Sequence, residues 1–158
     1  PEYYASTLGL RIPGIFIGGT MDVASYPAPW ILENKRKEHR AQNLDIWMRD
    51  MAQIKNYRPL TLEHIEELLT KSQDPVQREF GLEFDTDYTF HVQGVDWLGG
   101  DFYGEDAAPV MRCVRAIGLP HVVWNSQANL VWDYLKHFRR DPVSGKSIYD
   151  PVACWGER

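Results

Sequence analysis

Ile12-Pro13-Gly14-Ile15-Phe16-Ile17-Gly18-Gly19 is the stretch on which the fold turns. Its apolar run is short, nearly continuous from Ile12 to Ile17, and closed by two glycines. A strand with one wet face alternates apolar with polar residues. This one does not, so both faces are expected to be covered, as in a parallel sheet flanked by helices. Thr20, Met21 and Asp22 follow at once, and the prolines at 27 and 29 mark Thr20 to Trp30 as loop.

The rest of the chain supports an alternating pattern. Gln42 to Lys55 places Leu44, Trp47, Met48, Met51 and Ile54 at spacings of three and four, which predicts an amphipathic helix. Thr61 to Lys71 predicts a second helix, with Thr61 as N-cap and Leu62, Ile65, Leu68 and Leu69 on one face. Ser72 to Asp87 reads as polar loop, and residues 56–86 are expected to be an insertion rather than core. Tyr88, Phe90 and Val92 alternate with polar residues and predict a strand. Gly99-Gly100 reads as tight-turn sequence. Val110 to Ile117 predicts a further strand, and Asn125 to Arg139 a helix with Leu130 or Val131, Tyr134, Leu135 and Phe138 on its apolar face. Strands alternating with helices imply an α/β architecture.

Composition narrows the function. The chain has 158 residues, enough for one domain, and carries a net charge of −5. That balance argues against a nucleic-acid surface. No apolar run approaches the roughly 20 residues of a membrane span. Two cysteines, Cys113 and Cys154, are too few for a disulfide scaffold or a zinc site, although one bridge between them is open. The histidines show no metal-ligand spacing. Asp96, Asp101, Glu105 and Asp106 lack the rhythm of a calcium loop and read as a solvated acidic hairpin. Gly18-Gly19 and Gly99-Gly100 are not followed by the Gly-Lys-Ser/Thr of a phosphate loop.

Two loops remain chemically loaded. Asp22 lies just past the first strand and its glycines. His121 lies just past the last strand, after Gly118 and Pro120. In open α/β sheets functional groups sit on loops at the carboxyl ends of strands. If the two strands run parallel, Asp22 and His121 share one rim. An Asp there can orient an imidazole and stabilise its cation, while the imidazole moves a proton to and from a nucleophile.

At these residues the chain resembles a known family. "IPGIFIGGTMDV" is similar to the strand and catalytic acid of α/β-hydrolase fold serine esterases. Gly99 to Arg140 resembles the C-terminal end of the polyhydroxybutyrate-depolymerase and feruloyl-esterase-like branch, where a hairpin strand leads to a Gly-x-x-His loop, a Trp and a final helix. The resemblance covers about half the chain. It implies Asp22 as triad acid and His121 as base, with Trp132, Tyr134 and Leu135 packing the last helix. It also makes Trp124 a candidate for lining the acyl or alcohol pocket. The implied substrate is a small-molecule or polymer-borne carboxylic ester, with no cofactor and no metal.

The family's nucleophile is a Ser in a Gly-x-Ser-x-Gly elbow upstream of the acid, and no serine here has those neighbours. Residues 1–158 are therefore expected to be the C-terminal portion of one α/β-hydrolase domain, with a mostly parallel sheet and the insertion at 56–86. The serine and oxyanion hole would come from an N-terminal half, as a second chain or a precursor segment. Polymer-acting relatives would be secreted or periplasmic. The alternative is a non-catalytic, Trp-rich module that keeps hydrolase ancestry only in its packing.

Overall fold

The computed structural model describes residues 9–22, 37–120 and 125–152. A four-stranded mixed sheet lies at its centre: β1 (Gly14–Gly19), β2 (Thr86–Val92), β3 (Val95–Tyr103) and β4 (Pro109–Ala116), in the order β1-β4-β3-β2. β1 runs parallel to β4, with Gly14 opposite Met111 and Gly19 opposite Ala116. β2, β3 and β4 form an antiparallel meander. The α/β class holds. The expectation of a mostly parallel sheet does not, because two of the three strand pairs in this sheet are antiparallel.

Helices cover both faces. α1 (Lys37–Ile46) continues into a π-helical turn at Trp47–Met51, and α2 (Leu62–Lys71) and α3 (Pro75–Phe80) follow. They pack Leu44, Met48, Ile65, Val76 and Phe80 against Phe102, Met111 and Cys113 of the sheet. α4 (Asn125–Leu135) covers the other face, where Leu130 packs with Trp97, Val114 and Ala116. A short ribbon, β5 (Phe138–Arg140) and β6 (Ser147–Tyr149), ends the described chain.

Several elements follow directly from local chemistry. Thr61 Oγ1 accepts the backbone N–H of His64 at 3.2 Å, which is the expected N-cap of α2. The β2–β3 hairpin turns on Gln93 and Gly94, both at positive φ (52° and 78°), the two-residue turn that matches strand twist.

Others depart from the sequence reading. α3 lies inside the stretch read as loop. Its signals were all local: Asp74 accepts from Val76 N and Gln77 N, Pro75 opens the helix, and Gly81 closes it at φ 63°. A six-residue helix is too short to show a 3.6-residue period. Ile65, Val76, Phe80 and Leu82 belong to the main core, so residues 56–86 do not stand apart from it.

Gly99-Gly100 is not a turn but the middle of β3. A Cβ on Gly99 would stand 2.5 Å from the Tyr88 ring, and one on Gly100 would stand 2.2 Å from the Phe84 ring. The glycines make room for aromatic rings on opposite faces of the sheet. Asp101 is likewise not a solvated hairpin acid. It is buried and accepts a two-point contact from Arg112 at 2.8 and 2.7 Å. In α4 Tyr134 packs as expected, donating its hydroxyl to Pro109 O at 2.6 Å, whereas Trp132 and Leu135 are exposed. Phe138 falls in β5 rather than in the helix.

Two outcomes are expected. Gly100→Ala should destabilise the fold by about 1–3 kcal/mol, because Phe84 must leave its place between Phe80 and Phe102. A lower urea midpoint at unchanged slope would register it. Separately, Arg11 donates two hydrogen bonds to Asp106 and holds that carboxyl below the ordinary carboxylate range. A depressed folded-state value contributes stability above the unfolded value near pH ~4 and loses it as pH falls through the folded one. Asp106→Asn should therefore show a shallower loss of stability on acidification, read from thermal melts at stepped pH.

Candidate functional site

The parallel pairing of β1 with β4 brings two chain segments to one rim. After Gly19, the last residue of β1, the chain turns through Thr20, Met21 and Asp22, and Asp22 N–H donates back to Gly19 O at 3.1 Å. After Ala116 the other segment turns at Gly118, whose φ of 74° favours glycine. The two loops are stitched together. Thr20 N–H donates to Ala116 O at 2.9 Å and Met21 N–H to Leu119 O at 3.1 Å. Gly118 N–H donates to Thr20 Oγ1 at 2.8 Å. A Cβ on Gly19 would lie 1.9 Å from Leu119 O and 3.0 Å from Pro120 O, so only glycine admits this approach.

The outcome for the three expected site residues differs. Asp22 sits on this rim and is 5% exposed. His121 and Trp124 lie outside the described residues. Pro120, the last described residue before His121, has its carbonyl against Gly19. Cys113 is a free thiol buried in β4, and burial pushes it well above the ordinary thiol range, which removes it as a nucleophile. Its suggested partner Cys154 also lies outside the described residues.

Sequence reasoning missed Arg115. This arginine is 2% exposed and sits in a mostly apolar strand whose other charged residue is Arg112. Its Nε donates to Gly19 O at 3.1 Å, and Nη2 donates to Gly19 O and, at 3.2 Å, to Asp22 O. Nη1 lies 2.8 Å from Glu79 Oε1 of α3. Burial lowers the guanidinium from its ordinary value, against the opposing pull of Glu79 and Asp22, and burial raises the Glu79 carboxyl against the pull of Arg115. A guanidinium stays protonated in proteins, so the 2.8 Å contact is an ion pair at neutral pH. The available signal was a charged residue inside a mostly apolar strand, which must find a partner if buried.

Arg112, three residues earlier, projects to the other face. Besides Asp101 it lies over the rings of Tyr88 and Tyr134, at 5.9 and 5.1 Å. Burial holds both phenols above the ordinary tyrosine range, so they remain neutral donors to Asp101 and Pro109 O. That network ties α4 to the sheet.

Among the described residues no cluster of His, Cys, Asp or Glu could hold a metal ion, and no helix is long and apolar enough to cross a membrane. A cleft of about 700 Å³, lined by Tyr57, Arg58, His64, Glu83 and Phe84 among others, lies near Phe102. Phe102 pairs with Met111 towards the start of β4, so this cleft is at the opposite end of the sheet from Asp22. The chain matches no family model, no curated protein and no solved structure.

Because Leu119 O is in the way of any side chain at position 19, Gly19→Ala should cost about 3 kcal/mol, high among single substitutions. Differential hydrogen exchange should show the Thr20 and Met21 amides losing protection first.

Proposed function

We propose that this chain carries the acid and base of a serine carboxylic ester hydrolase of α/β-hydrolase type. The observation that carries the reading is the rim. β1 and β4 are parallel neighbours, a buried Asp22 follows the first, and the loop entering His121 is hydrogen-bonded to the Asp22 turn through Met21 N–H and Leu119 O. Two loops joined at this range give an acid and a base a common place to meet.

In this reading Asp22 accepts a hydrogen bond from a ring N–H of His121 and fixes its tautomer. His121 deprotonates the nucleophilic serine and returns the proton to the departing alcohol. Backbone amides stabilise the oxyanion, and Trp124 lines the acyl or alcohol pocket. The serine and the oxyanion hole come from an upstream segment or a second chain. The sheet is open to such an addition: among the described residues β1 is an edge strand, and its apolar sequence is unusual for an edge that stays bare. The substrate class is a carboxylic ester, small or polymer-borne: a phenolic or acyl ester on a saccharide, or a short polyester.

A fluorophosphonate probe applied to the native protein should label one serine outside these 158 residues. His121→Ala should abolish labelling and lower kcat at least about 10⁴-fold, and Asp22→Asn should lower it by about 10⁴ through the wrong imidazole tautomer. Unchanged ester turnover in His121→Ala would sink the reading and favour a non-catalytic module.

A further inference from the structure

We propose that Arg115 and Glu79 are the positioning pair of the acid turn, holding Asp22 at the angle from which its carboxylate meets the base. The inference rests on the reading of Asp22 as triad acid.

The turn that carries Asp22 spans only Gly19 to Asp22, and one side chain grips both of its ends. Arg115 donates to Gly19 O through Nε and Nη2 and to Asp22 O through Nη2. Gly19 O also accepts Asp22 N–H, so a single carbonyl anchors both the turn and the clamp. The Arg115 side chain is 3% exposed, which keeps water from competing for these carbonyls. The Asp22 charge in turn favours the protonated guanidinium, so the two groups are coupled electrostatically as well as through the backbone.

An apolar residue would be the ordinary occupant of position 115. It lies opposite Leu98 and between Val114 and Ala116, in a strand buried throughout except at the half-buried Arg112. A buried guanidinium there is costly unless fully partnered. The third partner, Glu79, comes from α3, a helix fixed at both ends by Asp74 and Gly81. Only a planar fork can meet two carbonyls and a carboxylate at once, which is why arginine and not lysine suits the site. The helical segment at 56–86 is thereby wired to the acid through one ion pair.

The test uses the full-length native protein with Arg115→Lys, Arg115→Met and Glu79→Gln. Hydrolysis of p-nitrophenyl acetate gives kcat and KM, carbon-detected NMR titration follows the Asp22 carboxyl, and thermal melting verifies folding. Arg115→Lys is expected to lower kcat about tenfold with KM within about twofold, and Glu79→Gln to lower kcat by a smaller factor. Arg115→Met should move the Asp22 titration to higher pH, because it removes the neighbouring positive charge. Should Arg115→Met not fold, the Lys variant decides. Wild-type kcat in folded Arg115→Lys, or an unmoved Asp22 titration in folded Arg115→Met, overturns the proposal. A native protein without any ester turnover counts instead against the hydrolase reading, since the Asp22 titration reads the pair without turnover.

Discussion

The parallel pairing of β1 with β4 is the contact on which the rest depends. It joins residues 14–19 to residues 111–116, whereas the meander β2-β3-β4 is built from sequence neighbours. Closing so long a loop costs entropy, though the cost grows only slowly with length. The apolar faces of Ile15, Phe16 and Ile17 offset it by packing on both sides of the sheet. Because the pair is parallel, the carboxyl ends of both strands coincide. A loop bearing Asp22 and a loop leading to His121 then meet without any further device, and Gly19 allows them to touch.

The sheet solves a charge problem on each face. Arg112 and Arg115 are three residues apart in β4, so the two-residue period of a strand sends them to opposite sides. Arg112 meets Asp101 from the next strand, beneath α4. Arg115 meets Glu79 from α3 and the end of β1. The first pair lies between sheet and helix and serves packing. The second reaches the rim. The same residue type, shifted by one face, joins different layers of the fold.

The aromatic residues follow a related logic. The rings of Tyr88 and Phe84 occupy the places that side chains at Gly99 and Gly100 would fill, from opposite faces. Phe84 is itself held by Phe80 and Phe102, and Phe90 stacks on Trp97. Among the described residues most aromatic rings thus lie in or against the core, and the two glycines in β3 are their counterpart.

Strongly patterned segments were legible from the chain alone. The apolar run ending in Gly18-Gly19, the alternation through Val92, the apolar stretch from Val110 and the Thr61 cap all became the elements they announce, because periodicity and capping act over a few residues. The α/β class and the place of Asp22 at a strand end follow from that information. What misled was sequence whose meaning depends on distant partners. Gly99-Gly100 has turn chemistry, yet lies in a strand because rings from residues 84 and 88 need the space. Residues 56–86 read as an insertion rather than core, yet Ile65, Val76, Phe80 and Leu82 reach the core. Arg115 is one of two arginines in a mostly apolar run until Glu79, 36 positions earlier, and Gly19, 96 positions earlier, are folded against it. Local pattern is enough to pick out the strands, the Thr61 cap and the loops of the rim. Which buried charges meet there is settled by folding alone, because an ion pair is specified by geometry between segments that local pattern does not connect.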